Sequence, residues 1–246
     1  MSTASYDKKE QAAHHFKDLN QQHDAGKEGV WLFMATEIMM FGGLFVGYFI
    51  YRFMFPDTYM AGGDSLNWYL GAFNTLVLLL SSFTMAQAVT ETMKGNNQKA
   101  YKLIVVTTLC AFAFMVVKYF EYTAKIDHGL FPGFDMWNAQ SAIEYANNHL
   151  RSDAGFTLAL PAAGETLGAG QVDGSSLKLF FVLYFCMTGL HGLHITIGIG
   201  LMFWLMKRLK NNEFGPKYYT AVEGVGLYWH IVDVIWIFLF PLMYLI

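Results

Sequence analysis

Apolar residues in this chain fall in five long stretches, at 29–51, 67–89, 101–120, 177–206 and 224–246, separated by polar connections. Each approaches or exceeds the roughly 20 residues that carry an α-helix across about 30 Å of hydrocarbon. Period-two alternation is missing, and an open strand edge in lipid would leave its backbone groups unsatisfied. The pattern predicts an all-α fold, an integral membrane bundle of five transmembrane helices over 29–246, behind a polar arm at 1–28. The connection at 122–176 is much longer than the others and carries Pro132-Gly133, Pro161 and a run rich in small residues between Gly164 and Gly174. A helical patch is expected around 136–151. Loops of this length are functional or lack order, so this one reads as an extracytoplasmic contact surface or as a tolerated insertion. No repeat and no second globular domain is visible.

Lysine and arginine set the direction. The arm holds Lys8, Lys9, Lys17 and Lys27; the second-to-third connection holds Lys94, Lys99 and Lys102; the fourth-to-fifth holds Lys207, Arg208, Lys210 and Lys217. These are 11 of the 16 basic residues, and the other side keeps only Arg52, Lys118, Lys125, Arg151 and Lys178. The positive-inside rule then places the N-terminus in the cytoplasm and the C-terminus outside. Composition agrees, with 54% hydrophobic and 14% charged residues, against about 25% charged in soluble domains. A net charge of −3 and the lack of a basic run give no footing for nucleic acid. Cys110 and Cys186 fall in different apolar segments at different depths, so no disulfide is expected. The polar arm carries no cleavable secretory signal.

The informative residues are the few ionisable ones inside the apolar stretches: Glu37, then His191 and His194 in Thr188-Gly-Leu-His-Gly-Leu-His194, then His230 and Asp233 in Tyr228-Trp-His-Ile-Val-Asp-Val-Ile-Trp236. Such groups are costly in hydrocarbon and face protein or trapped water. Counting about 1.5 Å per residue from the cytoplasmic ends at Val30, Gly224 and Met206 puts Glu37 about 10 Å deep, His230 about 9 Å, Asp233 about 14 Å and His194 about 18 Å. Glu37, His230 and Asp233 are thus expected in one polar layer, with His191 and His194 nearer the midplane. Three readings stay open: polar contacts locking helices together, a proton relay or buffer, and ligation of a metal or haem. Bis-histidine haem needs ligands at matched depth on opposing helices, and the depths do not match. Gly43 and Gly47 on the first span, and Gly189, Gly192 and Gly198 on the fourth, are expected to allow close helix approach. Asn74, Thr75, Ser81, Ser82 and Gln87 form a polar seam on the second span that reads as helix packing. The 14 methionines are scattered and read as packing too.

At these residues the chain resembles subunit III of the haem–copper oxidases. Gly29-Val-Trp-Leu-Phe-Met-Ala-Thr-Glu37-Ile-Met-Met-Phe-Gly-Gly43, Asn74-Thr-Leu-Val-Leu-Leu-Leu-Ser-Ser82, Lys118-Tyr-Phe-Glu-Tyr122 and the two histidine motifs follow that family's helices in order. The resemblance implies a non-catalytic subunit of a respiratory oxidase in the bacterial cytoplasmic (inner) membrane, within a complex that reduces dioxygen to water and pumps protons. It implies no catalytic residue, metal or redox cofactor in this chain, with haem and copper in partner subunits I and II. It implies bound phospholipid, a steadying role toward subunit I, and support for proton uptake. Glu37 matches the family's buried carboxylate, and its flanks look more like the cytochrome c oxidase branch than the quinol oxidase branch.

Two departures change the expectation. Many relatives have seven helices, with a lipid cleft between the first two and the rest; those two are absent here, which implies a composite lipid site completed by a neighbour. The 122–176 loop is longer than expected and implies contact with cytochrome c or another electron-donating complex. The nearest rival is the same subunit of a quinol oxidase or nitric oxide reductase complex. A membrane cytochrome b comes next, and a small-solute transporter ranks third because no interrupted or inverted helix pairs are seen.

Overall fold

The computed structural model describes residues 19–133, 136–161, 166–216 and 218–245; the first 18 residues of the expected arm lie outside them. In chain order the elements are α1 (Leu19–Met54), α2 (Pro56–Asp64), α3 (Trp68–Met93), α4 (Asn97–Asp127), α5 (Ala139–His149), β1 (Thr157–Ala159), β2 (Gln171–Asp173), α6 (Leu177–Lys210) and α7 (Thr220–Tyr244). Helices α1, α3, α4, α6 and α7 are each long and apolar enough to cross a membrane. The chain is an all-α, multi-pass membrane bundle.

The helices outrun the apolar stretches because local chemistry sets their ends. α4 continues to Asp127, past the expected 120, and stops where Gly129 takes φ +70°. There Leu130 N–H donates to Lys125 O at 3.0 Å and Gly129 N–H to Ile126 O at 2.9 Å, which satisfies the last carbonyls. The same pair of bonds ends α6 at Asn212, whose φ is 53°. α3 is capped by Asn67, whose side-chain oxygen accepts from the amides of Tyr69 and Leu70. The first connection holds a helix the hydrophobic pattern did not announce: α2 opens on Pro56, whose missing N–H costs nothing in a first turn.

Contacts divide the chain into two compact units, and each of the five long helices contributes to both. The first gathers residues up to Met39, Val77–Phe112 and His194–Val234. Glycine lets α6 approach α7: a Cβ at Gly198 would come within 2.6 Å of Trp229, whereas one at Gly224 of α7 would meet Val30 of α1 in ordinary contact at 3.4 Å. Lys27 of α1 pairs with Glu223 of α7 at 3.6 Å.

The second unit gathers Met40–Leu76, Ala113–Leu193 and Ile235–Ile246. Here the long connection is a folded cap. β1 and β2 pair in parallel, Leu158 opposite Val172, and the Asn147 amide donates to Leu158 O at 2.9 Å while accepting from Leu158 N–H at 2.8 Å. α5 sits within the expected 136–151 patch, capped by Asn138. It buries Ala142, Ile143 and Ala146, and the cap also buries Leu130 and Leu158. An ion pair of Arg151 with Asp64 at 3.1 Å and a bond from Thr58 Oγ1 to Asp173 O tie it to α2. The stretches 134–135 and 162–165 of this connection are outside the described residues.

The glycine expectation is corrected in part. Gly198 is a close-approach site, and Gly189 has Tyr122 Oη at 3.9 Å from its would-be Cβ, an ordinary contact. Among the described residues nothing lies within 4 Å of a Cβ at Gly43, Gly47 or Gly192, so these three open no close approach there. α1 itself is barely covered: 6% of its membrane window is buried, against 56% for α7. Gly198→Val is therefore expected to cost about 1–3 kcal/mol through overpacking, and Gly192→Ala less than about 0.5 kcal/mol. Thermal denaturation of the two variants in detergent checks the contrast.

Candidate functional site

In the first unit, Glu37 faces His194: Oε2 lies 2.9 Å from Nε2, and both side chains are almost covered, at 13% and 11% exposure. Tyr228 donates its phenol proton to the backbone oxygen of His194 at 2.8 Å and packs against Phe33, ring centroids 5.8 Å apart. A carboxylate beside an imidazole is far less costly in hydrocarbon than either group alone. On α7, His230 Nδ1 shares a 2.7 Å hydrogen bond with Ser82 Oγ, and Trp229 Nε1–H donates to Ser81 Oγ at 3.0 Å. Asp233 is buried one turn beyond His230.

The expected depth of His194, nearer the midplane than Glu37, is corrected here, since the two side chains meet; His230 meets Ser82 instead. The error lay in the choice of level ends. Gly198 packs against Trp229 and Tyr228, so counting back along the antiparallel pair sets Met206 level with the start of α7. That is about 6 Å below Gly224. Removing this offset brings His194 to about 12 Å, next to Glu37 at about 10 Å.

His191 belongs to the second unit. His191 is fully buried, with the Phe114 ring at 5.5 Å and the Trp236 ring at 5.1 Å. Of the α3 seam, Thr75 accepts from Trp236 Nε1–H at 3.1 Å. Asn74 is buried, and its amide has no hydrogen-bond partner among the described residues.

This unit also holds the charged cluster that sequence reasoning missed. Lys118, Glu121 and Lys125 of α4 are all buried. Glu121 meets Lys118 at 2.9 Å through Oε2 and Lys125 at 3.1 Å through Oε1. Tyr184 of α6 and Tyr244 of α7 donate to Glu121 Oε1 at 2.9 and 2.7 Å. Lys118 Nζ also donates to Tyr244 Oη at 2.7 Å and lies 4.8 Å from the Trp236 ring centroid. Lys118 and Lys125 had been counted as outer-side charges. The signal was their spacing, three and four residues either side of Glu121, which puts all three on one helix face.

Among the described residues, no group of three or more His, Cys, Asp or Glu side chains could hold a metal ion. A family model described as cytochrome c oxidase subunit III matches residues 173–246, the stretch that carries both histidine motifs. Over 222 residues the chain is 30% identical to the probable cytochrome c oxidase subunit 3 of Mycobacterium leprae (strain TN), covering 88% of this chain and 85% of that protein. This chain belongs to the subunit III family of the haem–copper oxidases. As a subunit III chain it is also similar to cytochrome c oxidase subunit 3 of Synechocystis sp., 27% identical over 219 residues, 89% of this chain and 74% of that protein. It is 26% identical over 227 residues to the cytochrome bo(3) ubiquinol oxidase subunit 3 of Pseudomonas putida, 91% of this chain and 88% of that protein.

Removing one member of a buried ion cluster leaves the others uncompensated, at about 3–5 kcal/mol. Glu121→Gln strands two ammonium groups and is expected to lower the thermal midpoint of the detergent-solubilised chain by on the order of 10 °C. Tyr184→Phe removes a single bond to a charged group and is expected to cost about 1.5–3 kcal/mol. Melting curves of both variants check the order.

Proposed function

We propose that this chain is the non-catalytic subunit III of an aerobic cytochrome c oxidase in a bacterial cytoplasmic membrane, with its N-terminus in the cytoplasm and its C-terminus outside. It steadies subunit I and binds phospholipid. Its Glu37–His194 pair supports proton uptake by the complex. Haem and copper reside in subunits I and II, and no residue of this chain enters the redox chemistry. The observation that carries this reading is the 30% identity across 88% of the chain to a protein named as this subunit. The Glu37–His194 contact accompanies it. The test is purification of the complex through a tag on this chain. The expected result is co-purified subunits I and II, a haem spectrum and oxygen consumption driven by reduced cytochrome c. A preparation driven by quinol alone would favour the second reading, a quinol oxidase subunit, which the 26% identity to the Pseudomonas putida protein supports.

Support for a neighbour on α1 comes from its uncovered face, where Gly42, Gly43 and Gly47 meet nothing within 4 Å and Phe49, Ile50 and Phe53 are exposed. That face suits one wall of a composite lipid site, with the facing wall supplied by another subunit. Gly43→Leu with Gly47→Leu is then expected to leave the isolated chain's stability unchanged while its retention in the complex falls several-fold, read by subunit stoichiometry after purification.

The roles of Glu37 and of the cap are tested separately. Glu37→Ala is expected to leave haem content intact and to shorten the enzyme's catalytic lifetime; unchanged turnover and subunit retention would make Glu37 a bystander. The cap over 128–176 is proposed as the extracytoplasmic contact for cytochrome c or another donor complex. Deleting 133–174 is expected to weaken donor affinity or supercomplex formation, and unaltered values for both would remove that role.

A further inference from the structure

The first unit carries a groove that neither ion cluster uses. It runs between α4 and α6, with a cavity of about 470 Å³ lined by Val105, Leu109, Phe112, Phe203 and Met206, among others. The Thr108 hydroxyl in its wall is already committed to Ile104 O at 2.8 Å. A second cavity of about 350 Å³ adjoins it through Tyr101 and Lys210 and adds Asn97, Gln98 and Lys102. The walls are thus apolar at depth and polar at the mouth.

The cations at that mouth differ from others in the same unit. Lys94 and Lys99 meet Glu91, Lys27 meets Glu223, and Arg208 meets Glu213. Lys102, Lys207 and Lys210 are exposed and have no carboxylate within 4.0 Å among the described residues. Three unmatched ammonium groups over an apolar slot call for an anion on a hydrocarbon chain. The slot's length agrees: Tyr101 to Phe112 rises about 16 Å along α4, close to the roughly 15 Å of one leaflet's hydrocarbon. Phe112 and Phe203 meet at the deep end, ring centroids 6.3 Å apart. Phe203 is nine residues from His194, a half turn out of phase, so it lies on the face of α6 opposite the one that meets Glu37.

We infer that the α4–α6 groove is a binding site for one anionic glycerophospholipid, its phosphate held by Lys102, Lys207 and Lys210 and one acyl chain lying along Val105, Leu109 and Phe112. The site belongs to the basic side of the chain, where anionic headgroups strengthen lysine attraction. It depends on this groove alone and not on the redox identity of the complex.

Native mass spectrometry of the complex, purified through this chain and exchanged into phosphatidylglycerol or phosphatidylcholine of equal chains, tests it. One phosphatidylglycerol per copy is expected to survive delipidation that strips phosphatidylcholine. Lys207→Gln with Lys210→Gln is expected to weaken its retention about thirtyfold, from the usual contribution of two lysines at an anionic surface. Lys94→Gln with Lys99→Gln, at matched lysines, is expected to change it less than about threefold. Leu109→Trp, which fills the slot and keeps every charge, is expected to remove the lipid. Equal retention of both lipids overturns the inference, as does full phosphatidylglycerol retention in the Lys207/Lys210 variant. An equal loss in the Lys94/Lys99 variant also overturns it, since that reports only the general surface field. The lysine variants lie on the exposed rim, so the comparison holds even if Leu109→Trp fails to assemble.

Discussion

Hydrocarbon has no water to offer a charge, so every ionised group this chain takes into the membrane must be met by a group of its own or a neighbour's. That constraint sets the architecture. Around Glu121 it draws two lysines of α4, a tyrosine of α6 and a tyrosine of α7 into one cluster. Around Glu37 it draws in His194 and, through the backbone, Tyr228. Packing alone would let such helices slide or rotate against lipid-like side chains at little cost. A carboxylate that must find its partner within about 3 Å fixes both register and rotation.

The two clusters do different things with the same constraint. Glu121 is met by two ammonium groups and two phenols, an arrangement with no spare partner, and it acts as a fixed tie. Glu37 is met by an imidazole, the side chain whose proton affinity lies closest to neutral pH. α1, which carries Glu37, is also the least covered of the membrane helices, so this contact sits on the helix most open to a neighbour.

The number of spans and their class were legible because about 20 apolar residues in a row leave few alternatives. The importance of Glu37, His191, His194, His230 and Asp233 was legible because each is expensive where it stands. What was not legible is who meets whom. His191 and His194 share a helix face by spacing, yet one packs between aromatic rings and the other meets a carboxylate, since three residues along a helix is enough to reach a different neighbour. Lys118 and Lys125 hid near the end of an apolar stretch, where a lysine usually reaches out to the interface. The structure turns them inward because Glu121 waits between them. Glycine was ambiguous for the same reason: Gly198 and Gly192 read alike in sequence, and only the neighbour's position separates a close approach from open space.

The central claim is that the membrane-embedded titratable groups of this subunit III chain are partners for protein side chains and hold no redox centre. A cryogenic electron-microscopy map of the complex purified through this chain measures that directly. The account predicts the His194 imidazole on the Glu37 carboxylate and the His230 imidazole on Ser82, with every haem iron and copper ligated by other subunits. Density for iron or copper on any imidazole of this chain would contradict it.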